Sequence, residues 1–177
     1  DDTVSCQVYN NISEQAASSQ AVDATRGMII LSDGKPIEAY FFSTSWGCTD
    51  TDEVWNAKKS ASYLRSIAVS HKAVETMANG TLQPEMTEQS FRERILQRDA
   101  GDYEKEDVWY RWKVCIPWEM LKERSESKWP QLGAFTGLSI QGRNPGGGVK
   151  TLEIQGENQN VTLENEYVIR KFLSIKG

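Results

Sequence analysis

The sequence predicts an α+β fold with a mainly antiparallel sheet and a few packed helices. Predicted strands and helices are mixed along the chain without the regular strand–helix–strand alternation of a parallel sheet. The clearest turn signals, Asp33-Gly34 and the glycines at 146–148, each separate two apolar runs, as hairpin turns do. With 177 residues, of which 38% are hydrophobic, the chain is long enough to bury a core.

The N-terminal part predicts one helix and one hairpin. Residues 13–26 are rich in Ala and Ser, with Ser13 placed as N-cap and Gly27 placed to end the helix. The apolar runs 27–32 and 36–42 flank the Asp33-Gly34 turn and predict the two hairpin strands. A further short strand or extended segment is expected at 63–67.

The middle of the chain predicts two helices with a strand between them. A helix is expected over 87–99, capped by Thr87 and ended by Gly101. Apolar residues alternate with others over 108–116, which is the two-residue period of a strand. The next helix is expected over 118–126, because Pro117 suits the start of a helix.

The last part, 134–177, predicts a β-rich region closed by a helix. Strands are expected at 138–142, 149–155 and 161–163, and the helix at 166–175. Its inward side chains are expected to be Val168, Ile169, Phe172 and Leu173. Residues 1–177 are interpreted as one domain.

Charge and composition exclude several classes of function. The formal net charge is −5, and basic residues are interspersed with acidic ones, which argues against nucleic acid as a partner. No segment approaches the roughly 20 apolar residues of a membrane span. Six tryptophans are many for this length, so some belong to the core and others could stack on flat apolar faces of a ligand. Because the chain starts at Asp1 without Met, we expect it to be part of a longer protein.

Cysteine and histidine give little support for a metal or nucleophilic site. Cys6, Cys48 and Cys115 form no CxxC pair, and a lone cysteine such as Cys6 is more typical of a small buried residue than of a ligand. His71 would have to serve any Ser-His or Cys-His site, and no nucleophile is spaced to match it, which favours a surface histidine. The glycines at 146–148 lack the Lys-Ser/Thr ending of a phosphate-binding loop.

A loop of small residues at 43–49 is the best candidate site. Asp50, Asp52 and Glu53 follow it directly, with Trp46 and Trp55 nearby. Carboxylates beside aromatic rings suit carbohydrate chemistry, in which an acid protonates the glycosidic oxygen. The alternative is an acidic loop that serves solubility alone.

Several motifs in order resemble the SpoIID/LytB family of peptidoglycan lytic transglycosylases and amidase enhancers. The match is densest over residues 6–67. The family pattern is roughly CQVY, AVxxTxG, GxPIxAxYxSTSGGxT, EDVW and PYLxSV, followed by RxxSGRV and a closing helix. The matching stretches here are 6–9, 21–30, 34–45 with Gly47 and Thr49, 53–55, 63–66, 143–149 and 165–175.

The resemblance implies an enzyme that cleaves the bond between N-acetylmuramic acid and N-acetylglucosamine in denuded glycan strands, as in forespore engulfment during sporulation. One carboxyl group protonates the leaving oxygen, and the muramyl 6-hydroxyl then attacks to give an anhydro sugar. The family's catalytic Glu lies upstream of the CQVY stretch, so we expect it before Asp1 and expect no turnover from residues 1–177. The parent protein is expected to be extracytoplasmic, facing the cell wall, with a membrane anchor upstream.

The resemblance also implies substrate-binding and metal-binding residues. The groove would be lined by Tyr40, Ser43, Thr44, Ser45, Trp46, Gly47, Thr49 and Glu53. Where the family has Gly-Gly, this chain has Trp46-Gly47, so the tryptophan would stack on a sugar or narrow the groove. Cys6 would be the last ligand of a zinc site whose other ligands lie upstream. The alternative function is a non-catalytic cell-wall-binding protein that activates an amidase or another wall hydrolase.

Overall fold

The computed structural model describes residues 12–55, 61–70, 87–97 and 101–175, without the side chains of Glu53 and Trp55. The chain divides into two compact units, Asp1–Tyr40 and Phe41–Gly177. Within the described ranges there are four α-helices and two antiparallel sheets, of two and three strands. The α+β class predicted from the sequence is therefore confirmed.

The first unit contains the predicted helix and hairpin. Helix α1 spans Ala16–Ala24 and follows Gln15, so Ser13 as N-cap was wrong. Strands β1 (Leu31–Ser32) and β2 (Lys35–Pro36) are antiparallel but have two residues each, so the predicted strand lengths, 27–32 and 36–42, were wrong. Their turn places Asp33 and Gly34 at φ angles of 51° and 74°, the left-handed pair that a two-residue hairpin turn requires.

The next helix begins at its predicted cap. Helix α2 spans Glu88–Leu96, and the Thr87 side chain accepts a hydrogen bond from the Ser90 amide while the Ser90 hydroxyl accepts one from the Thr87 amide. This reciprocal capping satisfies two N–H groups that the helix itself leaves unpaired. The helix ends before the predicted residue 99, because the Gln97 backbone is already extended.

The prediction of a strand over 108–116 is wrong. Residues 101–110 form turns, and 112–117 are irregular. Tyr110 is 2% exposed, whereas Val108 and Trp112, expected on the same face, are 82% and 72% exposed. The segment is held by a short-range contact between Tyr110 and Asp102 instead of by a sheet neighbour. Alternating apolar residues form a strand when a neighbouring strand pairs with them and one face is buried. This segment pairs with no strand among the described residues.

The C-terminal part follows the prediction closely. Helix α3 (Trp118–Lys128) begins after Pro117 and leads through a 3-10 turn, Pro130–Leu132, into the larger sheet. Strands β3 (Phe135–Arg143), β4 (Val149–Gly156) and β5 (Val161–Glu164) are antiparallel in that order. Helix α4 (Glu166–Leu173) closes the chain, capped by the Asn165 side chain.

The main core lies between this sheet and helices α3 and α4. Its buried members come from all of these elements: Leu121, Leu132, Phe135, Leu152, Ile154, Leu163, Ile169 and Phe172. Leu173 packs against them, but Val168 is 36% exposed, so its predicted inward position was wrong. The second unit also contains the 43–50 loop, which lies in a separate small cluster around Cys48 and Ala68.

Candidate functional site

The 43–50 loop is fixed at Ser45 by a carboxylate from a distant segment. The Ser45 hydroxyl donates to Glu104 Oε2 at 2.8 Å, and its amide donates to Oε1 at 3.2 Å. The same hydroxyl accepts from the Gly47 amide at 3.1 Å. Ser45 is buried, so its side chain holds the loop in place. Ser43 is exposed, and Thr44 is half-buried.

The loop then pairs with the extended segment predicted at 63–67. Val69 N–H donates to Gly47 O at 2.9 Å, and Thr49 N–H donates to Ile67 O at 2.8 Å, on either side of a Cys48–Ala68 bridge. The Thr49 hydroxyl accepts from the Ile67 amide at 2.9 Å and donates to Arg65 O at 3.1 Å. Thr49 thus supports this pairing with its side chain as well as its backbone.

Four residues that sequence reasoning missed form a buried ion cluster beside the loop: Arg94, Asp102, Tyr110 and Arg111. The Asp102 carboxylate is fully buried and accepts from Arg94 Nη2 at 2.9 Å and from the Tyr110 hydroxyl at 2.6 Å. Arg111, whose side chain is 8% exposed, lies 3.9 Å from the same carboxylate. The two arginines compensate the charge of Asp102, which alone would be costly to bury.

Two arginines of the ion cluster donate hydrogen bonds to backbone oxygens of the loop. Arg111 Nη1 donates to Trp46 O at 2.8 Å, and Arg94 Nη2 donates to Gly47 O at 3.1 Å. Gly47 has φ 108°, and a Cβ there would lie 2.1 Å from Asp102 Oδ2. Only glycine allows the backbone to come this close to the Asp102 carboxylate, so Gly47 is required for the backbone conformation beside the cluster.

Trp46 joins the loop to the glycine turn between β3 and β4. Its indole Nε1 donates to Gly146 O at 2.9 Å, and its ring lies 4.9 Å from that of Phe91 on α2. Gly147 has φ 100°, and a Cβ there would lie 2.6 Å from the Trp46 ring. Trp46 is therefore half-buried against this turn.

Asp50 makes the second connection to the glycine turn. Its carboxylate accepts from the amides of Gly146 at 3.3 Å, Gly148 at 3.0 Å and Thr51 at 3.0 Å. The intervening Gly147 amide donates to Asn144 O instead, so the Asp50 carboxylate joins the loop to the turn through two alternate amides. Asp52 accepts from the Ala61 amide at 3.4 Å. Both aspartates proposed for acid chemistry thus bind backbone amides.

Two groups near the Asp102 carboxylate, the Tyr110 hydroxyl and the Cys48 thiol, have raised pKa values. Burial, together with the hydrogen bond to the Asp102 carboxylate, raises the pKa of Tyr110 to about 12. Burial also raises the pKa of the Cys48 thiol, although nearby Arg94 opposes the shift. Cys48 is therefore a protonated core residue rather than an activated nucleophile.

The remaining predicted site residues belong to the first unit or lie outside the described residues. Tyr40 belongs to the first unit, is half-exposed, and donates from its hydroxyl to Glu38 Oε2 at 2.7 Å. Cys6, His71 and the Glu53 side chain lie outside the described residues. Within those residues, no group of three or more His, Cys, Asp or Glu side chains converges to hold a metal. No helix in the described ranges is long and apolar enough to cross a membrane.

A basic groove of about 510 Å³ lies between helices α3 and α4. Lys128, Arg170 and Lys171 stand in the last turns of these helices, where cations offset the negative end of the helix dipole. Arg124 donates to the backbone oxygen of Phe172. The position of these cations is thus explained by their interactions with the C-terminal ends of helices α3 and α4.

Comparison with known proteins assigns the second unit to a family. No curated protein and no solved structure matches the chain. A family model matches residues 49–176, a span that includes Asp50, the ion cluster and the glycine turn. The chain therefore belongs to the family described as Domain of unknown function (DUF8618).

Proposed function

We propose that this chain is the glycan-binding part of a peptidoglycan lytic transglycosylase that acts on denuded glycan strands. One observation carries the proposal: two stretches of the SpoIID resemblance meet in space. Thr49, a matched position, lies against Gly146, where an added Cβ would be 2.0 Å from Thr49 O. Bonds from Trp46 to Gly146, 100 residues further along the chain, and from Asp50 to Gly146 and Gly148 hold the two stretches together, although Trp46 and Asp50 lie outside the match. If the two stretches resembled the family by chance, there would be no reason for them to lie side by side in the fold. Two parts of one binding site, in contrast, must be neighbours.

The proposal divides the resembling residues by their exposure. Ser43 offers an exposed hydroxyl in the second unit, and Tyr40 offers a half-exposed ring in the first. Thr44, Trp46 and Thr49 are half-buried at the edge of the loop. Ser45 and Gly47 are buried and would position the others. Glu53 remains a candidate contact.

The proposal assigns sugar binding to this chain and proton transfer to a carboxyl group outside residues 1–177. Cleavage of the glycosidic bond needs an acid able to protonate the leaving oxygen. Asp50 accepts three backbone hydrogen bonds and so serves the fold. Asp52 accepts one, at 3.4 Å through Oδ2, and its buried Oδ1 has no hydrogen-bond partner among the described residues. We therefore expect binding of glycan without turnover.

The test is co-sedimentation of the chain with glycan strands stripped of stem peptides, followed by mass spectrometry of the soluble sugars. We expect retention of the chain and no anhydro-sugar ends. Ser43→Ala should weaken retention, while the matched control Ser127→Ala, at an exposed serine on α3, should leave it unchanged. Failure of the wild-type chain to bind would refute the proposal, and cleavage by it would refute the division of roles.

A second candidate is a non-catalytic partner that enhances a cell-wall amidase. The three backbone hydrogen bonds that Asp50 accepts favour this role, since they make this loop carboxylate a structural group. The two functions separate in one assay. Addition of the chain to a wall amidase should accelerate release of stem peptides if it is an enhancer, and should leave the rate unchanged otherwise.

A further inference from the structure

The basic groove between helices α3 and α4 carries more positive charge than the helix ends offset. Four cations line it, Arg124, Lys128, Arg170 and Lys171, and no Asp or Glu is among the described residues that do so. Glu166, one turn earlier on α4, pairs with Arg170 at 2.9 Å. Because each helix C-terminus is equivalent to about half a negative charge, a surplus of about two positive charges remains in the groove.

The surplus charge lies on two lysines. Arg124 donates to the backbone oxygen of Phe172, and Arg170 is paired with its neighbour on α4. Lys128 and Lys171 are exposed, and neither forms a hydrogen bond or an ion pair with any residue that the structure describes. Lys128 Nζ lies 4.7 Å from the Trp129 ring centroid, a contact that uses none of its N–H donors in a hydrogen bond. Both ammonium groups are therefore available to an anionic ligand.

The groove also has the size and the lining of a ligand site. Its volume of about 510 Å³ lies within the range of pockets that hold small ligands, about 300–1,000 Å³. Tyr167 belongs to its lining and is 59% exposed, so its ring is open to a ligand. Cations form strong, charge-assisted hydrogen bonds to carboxylates, and an aromatic ring packs against an apolar face. The lining therefore suits a sugar that carries a carboxylate.

Helix α4 brings the groove close to the 43–50 loop. The helix lies against the 3-10 turn Asp52–Trp55, which follows the loop directly. Its eight residues span about 12 Å, and packed elements lie about 10 Å apart. The groove at the end of α4 is therefore within roughly 20 Å of this turn. A polymer bound at the loop can cover that distance.

We propose that Lys128 and Lys171 bind carboxylates of the denuded glycan strand, through the groove that they line. The inference rests on the proposed function and extends it to a second contact with the same polymer. Hydrolysis of the amide bond that holds a stem peptide leaves a carboxylate on the muramic acid. A denuded strand therefore carries a negative charge on every such sugar, whereas a strand with its peptides attached has a neutral amide at that position. The groove thus favours stripped strands.

The test measures binding of the full chain to denuded strands and to denuded strands whose carboxylates have been converted to primary amides. Wild type should bind the amidated strands about tenfold more weakly, the effect of losing two partly exposed charge contacts. Lys128→Gln/Lys171→Gln should bind denuded strands about tenfold more weakly than wild type and should no longer distinguish the two ligands. Lys122→Gln/Lys150→Gln removes the same charge at two exposed lysines outside the groove and should bind as wild type does.

Two further measurements check the fold and the kind of anion. Circular dichroism of both variants should match wild type, because all four lysines are exposed. Polyglutamate carries carboxylates without sugars and should bind far more weakly than denuded strands. If wild type binds polyglutamate as tightly as it binds the strands, the groove is a site for acidic polymers in general, and its assignment to glycan is refuted.

The outcomes separate this inference from the proposed function. If wild type binds denuded strands and the groove variant binds them equally well, the role of the groove is refuted and the proposed function stands. If the groove variant loses affinity for denuded and amidated strands alike, the lysines contact something other than the carboxylates, and the inference is overturned. If wild type binds neither form of the strand, both proposals fail.

Discussion

Substitution of Asp102 tests whether the buried ion cluster holds the second unit together. Asp102→Asn preserves size but removes the charge that compensates Arg94 and Arg111, at 2.9 and 3.9 Å. At an effective dielectric constant of about 20, charges 4 Å apart interact by about 4 kcal/mol, partly offset because the amide needs less desolvation. Uncompensated buried charges cost about 3 to 5 kcal/mol. We expect a loss of about 4 kcal/mol in the free energy of unfolding.

The assay is urea denaturation followed by tryptophan fluorescence. With a slope of about 2 kcal/mol per M, a loss of 4 kcal/mol lowers the midpoint by about 2 M. Glu166→Gln is the matched control, because the Glu166–Arg170 pair has the same 2.9 Å separation but an exposed site. Glu166→Gln should lower the free energy of unfolding by about 0.5 kcal/mol or less. If Asp102→Asn costs no more than the control, the ion cluster does not stabilise the fold.

Three further predictions follow from the same contacts. The pKa of Tyr110 is raised to about 12, so the neutral phenol stabilises the fold fully below pH 10. The free energy of unfolding should fall by about 3 kcal/mol as the pH rises from 10 to 12. Tyr110→Phe should abolish that pH dependence in urea titrations. Gly147→Ala should cost about 3 kcal/mol, because φ is 100° and the new methyl group meets Trp46, whereas Gly101→Ala, with φ 75° and open space, should cost about 1 kcal/mol in the same assay. Thr87→Ala should lower stability by about 1 kcal/mol through loss of the α2 cap, and Thr87→Ser should restore most of it.

Elements with short-range signals could be predicted from the sequence. The hairpin turn at Asp33-Gly34, the Thr87 cap and the glycine turn after β3 all depend on residues within a few positions of one another. The strand predicted over 108–116 failed because its pattern was read without knowing its neighbours. Tyr110 is buried by Asp102, eight residues away, and the tryptophans on either side are exposed.

The candidate loop was found from its sequence, but its supporting residues were not. Ser, Thr and Gly at 43–49 marked a loop of unusual composition, and the side chains that bond to it are those of Arg94, Glu104 and Arg111. Arg94 lies in a predicted helix, Arg111 lies in the strand that was predicted over 108–116, and Glu104 lies in a polar stretch, so no motif marked any of the three. Their role depends on contacts across 47, 59 and 65 positions of the chain.

The sequence by itself determined the α+β class, the sheet of the last part and the position of the small-residue loop, because local propensity and apolar pattern act over neighbouring residues. Only the tertiary structure decided that Asp102 is a buried carboxylate between two arginines, that Asp50 accepts hydrogen bonds from the glycine turn, and that Trp109 and Trp112 are exposed. Those features depend on which distant segments meet. The energy of a charge or an indole is set by its surroundings, and the surroundings exist only in the folded chain.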